Sequence, residues 1–446
     1  MNGVTKSIGS LVKPRREKAS PSDHPDLHYI GLEHIEAHTT KLLGSVPATE
    51  MRSTANQFFS GDVLYSRLRP YLNKVWYADR DGLCSSEFIV MPGNESVDAN
   101  FLRYRLNSAD FVSFANRLNA GDRPRVDFDQ ISIFKTWLPK TLEQQRRIVA
   151  EIEKQFTRLE AGVAALKRVQ ANLKRYRAAV LKAACEGKLV PTEVERLRAE
   201  GKNLKNLENG EQLLKRILAE RRKNWTGRGK YKEPAAPGIA DLPPLPEGWT
   251  WATLDQLCSK VTDGTHLKPI YTEKGVPFLS VKNVRPGKIF DTDIKFISAE
   301  QHADYVRRCK PEKGDILYTK VGVTFGFAAI NTLDYEFSIY VSLALLKYPQ
   351  HLIAPKYIEL CMNSLLIYLQ AQKRIKGIGR PDLHLEEIRE FHFPLPPMIE
   401  QTRIVAEVER RLSVVEELEA VVSANLQRSI RLRQSILQKA FDGQLC

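Results

Sequence analysis

The chain has 446 residues and a net charge of +14, a length that predicts about two to four domains and a charge that favours nucleic acid as a partner. No stretch approaches the roughly 18 uncharged apolar residues of a membrane-spanning helix, and the start lacks the apolar segment of a secretory signal, so we expect a cytoplasmic protein. The six cysteines never stand in a C-x₂-C or C-x₄-C spacing, which favours reduced thiols over a zinc site.

Residues 1–139 predict a mixed α/β module, here called module one. Runs rich in β-branched and aromatic residues at 63–66 and 87–91 indicate strands, and 100–114 indicates one helix. A polar loop follows the first of these strands, and a Gly/Arg-rich loop comes before the next long helix. Both loops carry the residue types that contact base edges or phosphates in DNA. The candidates are Arg67, Arg69, Asn73, Lys74, Arg117, Asn119, Arg123 and Arg125.

Residues 140–190 predict one long helix. Pro139 is tolerated only before its start and Gly187 suits its end, so the helix would have about 43 residues and a length of roughly 65 Å. Apolar side chains recur at helical spacing and form one seam, with charged residues on the flanks. The seam consists of Ile148, Ile152, Phe156, Leu159, Val163, Leu166, Leu173 and Val180.

Residues 191–244 predict a basic linker. It contains a short amphipathic helix at Glu211–Asn224, followed by a Gly/Lys/Pro-rich stretch typical of a flexible connection. Residues 140–232 hold 24 basic and 11 acidic side chains, a net charge of +13, whereas the globular parts are close to neutral. We therefore expect the first long helix and its linker to lie near DNA backbone or an acidic partner surface.

Residues 245–396 predict a second mixed α/β module, here called module two. Strands are indicated at 278–281, 316–319 and 341–346, and one helix at 354–372. The loops after the strands and before the following long helix again carry candidates for DNA contact. They are His266, Lys268, Lys282, Asn283, Lys320, Lys373, Arg374, Lys376 and Arg380.

Residues 397–446 predict a second long helix after the prolines at 394–397. A globular module of about 140 residues is too small to cover seams of this length, so we expect the two helices to pair as a coiled coil. Connectivity makes the pairing antiparallel, with one module at each end of a rod. The alternative is that each helix packs along its own module. The second seam consists of Ile404, Val408, Leu412, Val415, Val422, Leu432 and Ile436.

The chain contains an internal repeat whose period is about half its length. Residues 145–190 and 401–446 align without a gap at an offset of 256, and 15 of the 46 pairs are identical. The similarity continues upstream, where Gly61-Asp-Val-Leu-Tyr-Ser-Arg corresponds to Gly314-Asp-Ile-Leu-Tyr-Thr-Lys. We interpret the chain as two modules of one fold, related by a pseudo-two-fold axis, that read two different things.

The sequence carries no recognisable catalytic motif. There is no G-x₄-G-K-[ST] phosphate loop, no G-x-G-x-x-G, no H-E-x-x-H and no Asn-Pro-Pro-aromatic tetrapeptide. The nine histidines are scattered and suggest neither a metal site nor a catalytic set. These observations predict a binding or scaffolding subunit without catalytic residues of its own.

Several motifs, most of them present in both halves, resemble the specificity subunit of Type I restriction–modification systems. Together they span nearly the whole chain. The family usually opens module one with a Pro-Glu-Gly-Trp-like segment, and this sequence lacks one there. The motifs are Leu138-Pro…Glu143-Gln-Gln-Arg-Arg-Ile-Val, Gly187-Lys-Leu, Leu245-Pro-Glu-Gly-Trp, Leu395-Pro-Pro…Arg403-Ile-Val and Ser435-Ile-Leu-Gln-Lys-Ala-Phe-Asp-Gly-Gln-Leu.

The resemblance implies that 1–139 and 245–396 are target recognition domains, each reading one half of a bipartite, asymmetric site in double-stranded DNA. The paired helices, 140–190 and 397–446, would set the spacing and dock two modification (methyltransferase) subunits, and restriction subunits with ATP-driven motors would join them. S-adenosylmethionine would be bound by the modification subunits, and ATP and Mg²⁺ by the restriction subunits. This chain would bind no cofactor or metal itself.

Other functions fit the same residues. The chain could be a coiled-coil adaptor that binds only protein, or the DNA reader of another phage-defence methylation complex. A fused nuclease or methylase is disfavoured by the missing motifs. Sequence-specific DNA binding in the presence of a modification subunit would separate a reader from an adaptor.

Overall fold

The computed structural model describes residues 3–118, 121–205, 207–227, 229–240, 242–375 and 381–445. The chain forms two compact units. Unit one consists of Met1–Val169 and Val421–Cys446, and unit two of Gln170–Ala420. Both boundaries fall inside the long helices, so each unit contains one module and a part of each helix. Within the described residues, no helix combines the length and the apolar character that crossing a bilayer requires.

Module one is built from short strands and short helices, as its sequence predicts. Its elements are β1 (Gly3–Ser7), α1 (Ile8–Leu11), β2 (Lys18–Ala19), β3 (His28–Ile30), β4 (Val46–Pro47), β5 (Ala55–Phe58), β6 (Asp62–Ser66), β7 (Val75–Tyr77), β8 (Gly82–Cys84), β9 (Phe88–Pro92), α2 (Ala99–Leu106), α3 (Ala109–Arg117), α4 (Phe128–Ser132) and β10 (Lys135–Pro139). The strands form sheets of order β7-β6-β9 and β2-β5-β8-β3-β4 and an antiparallel pair β1–β10. The module therefore has an opening strand, although it lacks the Pro-Glu-Gly-Trp-like segment.

The first long helix, α5 (Leu142–Cys185), is followed by α6 (Glu193–Ala199) and α7 (Gly210–Lys223) in the linker. The linker helix predicted at Glu211–Asn224 is thus confirmed to within one residue at each end. Its apolar side packs on module two, because Leu213 and Ile217 belong to the main hydrophobic core of unit two. The linker is therefore partly a component of that module's surface.

Module two repeats the plan of module one. Its elements are β11 (Thr250–Thr253), α8 (Leu254–Leu257), β12 (Lys260–Asp263), β13 (Val276–Leu279), β14 (Val284–Arg285), β15 (Lys288–Ile289), β16 (Lys295–Ile297), α9 (Ala299–Arg308), β17 (Ile316–Thr319), β18 (Ala328–Ile330), β19 (Ser338–Ile339), β20 (Leu343–Lys347), α10 (Pro355–Met362), α11 (Leu365–Arg374), α12 (Leu385–Arg389) and β21 (His392–Leu395). In the sheet β12-β20-β17-β18, strands β20, β17 and β18 correspond to β9, β6 and β7 of module one. The pair β11–β21 corresponds to the pair β1–β10. The second long helix, α13 (Met398–Phe441), follows.

The single helices predicted at 100–114 and 354–372 are each split in two, which corrects the prediction. The break lies at Asn107-Ser108 in module one and at Asn363-Ser364 in module two. Ser364 has an extended backbone, and its hydroxyl accepts a hydrogen bond from the N–H of Ile367, as the N-cap residue of a new helix does. Apolar periodicity runs across both breaks and does not reveal them, and in module two the local hydrogen bond of Ser364 favours the start of a new helix.

The two long helices have 44 residues each and begin 256 positions apart, in agreement with the repeat. A buried glutamine joins each helix to its own module. The side-chain oxygen of Gln145 accepts a hydrogen bond of 2.8 Å from the N–H of Asp98. Gln401 accepts one of 2.9 Å from the N–H of Ala354. The equivalent contacts show that both helices leave their modules in the same way.

In unit one, the start of α5 packs against the end of α13 inside the core of module one. Ile152 and Phe156 share a hydrophobic cluster with Leu437 and Phe441. The ring of Phe441 lies edge-on to that of Phe101, with the centroids 5.2 Å apart. The end of the second helix is therefore an integral part of the first module's core.

In unit two, the end of α5 packs against the start of α13. Ala184 shares a core cluster with Ile404. Seven residues before Ala184, the guanidinium of Arg177 lies 3.3 Å from the carboxylate of Glu419, further along α13. Later positions of α5 thus meet earlier positions of α13, and the helices pair in the antiparallel direction that the connectivity predicts.

Most of the predicted seam residues are buried or half-buried, but Leu432 is not. Its side chain is 47% exposed, and the seam position belongs to Arg433. The guanidinium of Arg433 lies 3.9 Å from the ring centroid of Phe156 and donates a hydrogen bond of 2.7 Å to the carbonyl of Thr39. Arginine can cover apolar surface with its stem while its charge is met elsewhere. Leu159, Val163, Leu166 and Leu412 are half-buried, and the other seam residues apart from Leu432 are buried.

Candidate nucleic-acid interface

In module one, the loop after β6 is joined to the segment before α4 by backbone hydrogen bonds. The N–H of Val126 donates to the carbonyl of Arg67 over 3.0 Å, and the N–H of Arg69 donates to that of Pro124 over 2.8 Å. Between them, Leu68 and Arg125 form a bridge. We call residues 67–69 and 124–126 the loop pair of module one.

Module two has the same arrangement after β17. The N–H of Leu383 donates to the carbonyl of Lys320 over 2.9 Å, and the N–H of Gly322 donates to that of Pro381 over 2.8 Å. Val321 and Asp382 form the bridge between them. Residues 320–322 and 381–383 are the loop pair of module two. The matching bonds make Lys320 the counterpart of Arg67, and Asp382 the counterpart of Arg125.

The loop pair of module two borders a cavity of about 610 Å³. The walls come from the ends of β12, β17 and α9 and from the start of α12. This brings together two predicted contact residues, His266 and Lys320, which are 54 positions apart in the sequence. The charged and imidazole side chains that line it are Asp263, His266, Arg308, Lys320, Asp382, His384 and Glu386.

Charged groups of opposite sign meet at the floor of this cavity. The side chains of Asp263 and Lys320 are only 4% and 5% exposed, and their charged atoms lie 3.6 Å apart. Arg308 forms an ion pair with Asp263, and Nε2 of His266 lies 3.2 Å from the same carboxylate. Lys320 also reaches Asp382 over 3.3 Å. Several partners offset the desolvation of the buried charges, so Lys320 is held in place and does not extend into solvent.

The loop pair of module one carries different side chains on the same backbone. Arg125 forms an ion pair with Glu87, and its side chain is 52% exposed. Arg69 is exposed and has a left-handed backbone with a φ of 52°. Arg67 is half-buried, and its N–H donates to the carbonyl of Glu87 over 2.9 Å. This surface is more cationic than its counterpart in module two.

The structure sorts the remaining DNA-contact candidates by exposure. Lys74 and Arg374 are half-buried, and Asn73 and Asn283 are buried. Asn119, Lys376 and Arg380 lie outside the described residues. The described candidates that are exposed are Arg69, Arg117, Arg123, Arg125, His266, Lys268, Lys282 and Lys373.

Two candidates are corrected by their hydrogen bonds. The amide of Asn73 donates over 3.0 Å to the carbonyl of Asn107, and that of Asn283 donates over 3.1 Å to the carbonyl of Phe290. Both side chains therefore stabilise the module's own backbone, and neither is presented to a base. Lys74 is similarly engaged, because its ammonium donates over 2.6 Å to the carbonyl of Leu32.

Several polar residues of the cavity were missed by sequence reasoning, among them Asp263, Arg308 and Asp382. The residue types that read bases are mostly cations and amides, and the carboxylates of Asp263 and Asp382 do not fit that pattern. The repeat nevertheless contains a signal for Asp382. Arg123-Pro-Arg125 aligns with Arg380-Pro-Asp382, so a charge reversal is visible at the last position of the triplet.

Arg374 is the last residue of α11 and lies near Glu390 and Phe391 of the same module. Its guanidinium is 6.0 Å from the ring centroid of Phe391 and 4.0 Å from the carboxylate of Glu390. Burial lowers the pKa of the neighbouring His392 imidazole, and the positive charge of Arg374 lowers it further. Arg374 is thus partly engaged within the protein, whereas Lys373 is exposed.

A second concave surface lies in unit two, between the helix pair and the module. This groove has a volume of about 610 Å³ and is bordered by α5, α13, α10, α11 and the β14–β15 turn. Lys174, Arg177, Glu409 and Glu416 stand along its helical rim. Its apolar lining includes Ala178, Leu181, Leu360, Tyr368, Val405 and Leu412.

At the corresponding place in unit one, larger side chains and an extra ion pair occupy the space. Phe156 stands where unit two has Leu412, and its ring lies edge-on to that of Tyr104 with the centroids 5.6 Å apart. Glu160, the counterpart of Glu416, is held by Lys41 at 2.7 Å. The two units therefore present unlike surfaces beside equivalent stretches of helix.

Comparisons with known proteins give a consistent result. Residues 246–420 match the Type I restriction modification DNA specificity domain. The chain is 30% identical over 208 residues to the Type I restriction enzyme EcoDI specificity subunit of Escherichia coli, covering 45% of each chain. It is 26% identical over 319 residues to the EcoBI specificity subunit of Escherichia coli, covering 70% of this chain and 58% of that one. The chain thus spans about half the length of these curated relatives.

A solved structure from work on complex assembly and conformational transition of the type I R-M system has a similar fold. The TM-score is 0.67 and the identity 21%, covering 99% of this chain and 98% of that chain. The likeness extends to the mixed α/β modules and the long helices that the sequence predicts.

Proposed function

We propose that the chain is a specificity subunit of the Type I restriction–modification family and that it reads double-stranded DNA in two separate half-sites. The observation that carries this proposal is the loop pair. The same backbone hydrogen bonds recur in both modules, while the side chains they present differ in size and charge. Two readers on one frame with unlike surfaces suit a bipartite and asymmetric site.

The exposed cations beside the loop pairs are suited to DNA. Arg69, Arg117 and Arg123 in module one and Lys373 in module two are exposed, and contacts of such side chains to phosphates fix the position of a protein on a duplex. Binding should therefore weaken as the salt concentration rises. The net charge of +13 in 140–232 supports a further contact to DNA backbone or to an acidic protein surface.

We assign the chemistry to partner subunits. Modification subunits with S-adenosylmethionine would methylate the DNA, and restriction subunits with ATP and Mg²⁺ would cleave it. The present chain would contribute recognition and assembly only. Among the described residues, no group of His, Cys, Asp and Glu side chains has the arrangement of a metal site.

The groove of unit two is the surface that we propose for one modification subunit. It combines an apolar floor with a charged rim, as a protein interface does. Leu365 lies on its border and is 49% exposed, although it is a large apolar residue. The neighbouring Leu369 is 45% exposed but does not line the groove, so it provides a matched control.

A module exchange tests the reading function. Residues 245–390 would be replaced by the corresponding module of another family member, and methylated sites would be mapped by long-read sequencing in cells that contain the modification subunits. We expect one half of the site to change and the other to stay. A change in both halves would contradict the two-reader proposal, and an assembled complex without sequence-specific DNA binding would favour the adaptor.

A charge-removal test examines the DNA surface. The double variant Arg374→Ala/Lys376→Ala should weaken binding of cognate duplex by the assembled complex at fixed salt. The control is Lys310→Ala/Lys313→Ala. It removes two exposed cations of the same module that precede β17, at the end of that strand away from the loop pair. Equal binding by both double variants would count against the proposed DNA surface.

A co-purification test examines docking. Leu365→Lys should reduce the amount of modification subunit that co-purifies with the chain, because a charge would have to be buried in the interface. Leu369→Lys should leave it unchanged. Equal recovery with both variants would place the interface elsewhere.

A further inference from the structure

The loop pairs place residues of opposite charge at one framework position. Arg125 of module one and Asp382 of module two are matched by the bridges they form and by the flanking hydrogen bonds of Arg67 and Lys320. Both side chains are about half exposed, at 52% and 42%. The arginine forms an ion pair with Glu87, and the aspartate forms one with Lys320. The position is therefore equivalent in backbone and reversed in charge.

A carboxylate beside a DNA-binding surface needs a specific reason. Phosphates repel it, so Asp382 cannot add to the general affinity for the backbone. Within the major groove, the donors that DNA offers are the exocyclic amino groups of cytosine and adenine, whereas guanine and thymine present acceptors at the corresponding atoms. A carboxylate at this position therefore favours cytosine and adenine, which offer donors, over guanine and thymine, which offer acceptors.

The surroundings of Asp382 suit such a role. Lys320 lies 3.3 Å from its carboxylate and is itself fixed by the buried Asp263 at 3.6 Å, so the aspartate is held by a rigid neighbour. The backbone on both sides of it is fixed by the hydrogen bonds of Pro381 and Leu383. One edge of the carboxylate thus remains available for a base above the cavity. Because the side chain is already held in place, binding would cost it little further conformational entropy.

We propose that Asp382 is a specificity determinant that accepts a hydrogen bond from the amino group of a cytosine or adenine in the half-site read by module two. Arg125 at the equivalent position donates to an acceptor base, guanine in particular, in the other half-site. This proposal rests on the proposed function, since it assumes that both loop pairs face DNA. It adds that, at one matched position, the base read by module two offers a hydrogen-bond donor and the base read by module one offers an acceptor.

The test measures base preference at every position of the site. The chain, assembled with its modification subunits, selects from a duplex library in which both half-sites are randomised. The variants are Asp382→Ala and Asp382→Asn, and the control is Asp334→Asn. Asp334 is an acid of the same module that forms an ion pair with Lys313 and does not line the cavity, and its side chain is 81% exposed.

We expect Asp382→Ala to reduce discrimination at one position of the module-two half-site by at least about fivefold, the lower end for a base-edge contact. Asp382→Asn keeps the shape and should retain a preference for adenine but lose one for cytosine, because an amide can both accept and donate. The other half-site should not change, and Asp334→Asn should behave as the parent chain. Arg125→Ala should relax one position of the module-one half-site.

The outcomes separate this proposal from the proposed function. Unchanged preferences in Asp382→Ala, with specific binding by the parent complex, would overturn the role of Asp382 and leave DNA reading intact. Altered preferences in the module-one half-site would overturn it as well. A parent complex that selects no sequence at all would overturn the proposed function itself.

Discussion

The indole Nε1 of Trp249 donates a hydrogen bond of 2.7 Å to the carboxylate of Glu400, and both side chains are buried where the second long helix begins. The other carboxylate oxygen accepts a hydrogen bond of 3.0 Å from the backbone N–H of Glu193. The pair therefore joins the opening segment of module two, the linker and α13. Burial raises the pKa of Glu400, and the hydrogen bonds from Glu193 and Trp249 oppose that shift.

Glu400→Ala should destabilise the protein by about 2 to 4 kcal/mol, because two buried donors lose their acceptor. The free energy of unfolding in urea measures this. The matched control is Gln144→Ala, since Gln144 lies 256 positions before Glu400 and its side-chain oxygen has no hydrogen-bond partner among the described residues. The control should change the stability by about 0.5 kcal/mol or less. Similar losses in both variants would contradict the role assigned to the Trp249–Glu400 bond.

The corrected seam predicts unlike effects for two nearby apolar residues. Ile436 is 6% exposed and belongs to the core of unit one, whereas Leu432 is 47% exposed. Ile436→Ala should lower the free energy of unfolding by about 2 to 5 kcal/mol. Leu432→Ala should change it by about 0.5 kcal/mol or less. A larger loss for Leu432→Ala would restore the seam that simple periodicity predicts.

The buried glutamines predict a common cost at both helix starts. Gln401 accepts from the N–H of Ala354 and donates over 3.0 Å to the carbonyl of Pro396. Gln401→Ala should cost about 1 to 3 kcal/mol, since a buried N–H is left unsatisfied. Gln145→Ala should cost a similar amount for the same reason. Hydrogen exchange at the amides of Ala354 and Asp98 would report the lost bonds directly, and unchanged protection would argue against them.

The pKa of His392 predicts how the stability of module two depends on pH. Burial and the charge of Arg374 keep this pKa below its ordinary value of 6.5. The unfolded chain therefore takes up a proton near pH 6.5 that the folded module resists. Stability should fall as the pH decreases below about 6.5 and should be level above it.

Arg374→Ala should raise the pKa of His392, although not to its ordinary value, because burial is the larger cause. NMR titration of the imidazole would measure the change, with Arg389→Ala as a control for a nearby arginine. A pKa that stays constant in Arg374→Ala would show that burial alone sets it.

The long elements could be predicted from the sequence because their signal is repeated many times. Apolar residues at helical spacing fix both 44-residue helices, and the repeat identifies two modules. The seam fails at Leu432 because arginine counts as polar in a periodicity, although the stem of Arg433 covers Phe156.

The candidate site was less predictable. The residue type of Asn73 or Asn283 does not reveal whether its amide meets a ligand or a carbonyl of the same module, which depends on the loop's conformation. Lys320 has the chemistry of a DNA contact, but tertiary folding surrounds it with Asp263 and Asp382. Such pairings join residues more than 50 positions apart and leave no local pattern.

The contact between Phe101 and Phe441 has a consequence for biosynthesis. The core of module one contains Ile436, Leu437, Ala440 and Phe441, which leave the ribosome roughly 300 residues after the module's own chain. At about 5 to 20 residues per second, the first module waits on the order of 15 to 60 seconds for the segment that completes its interior. During that interval an apolar surface stays uncovered, and a chaperone or the growing chain itself must keep it from aggregating.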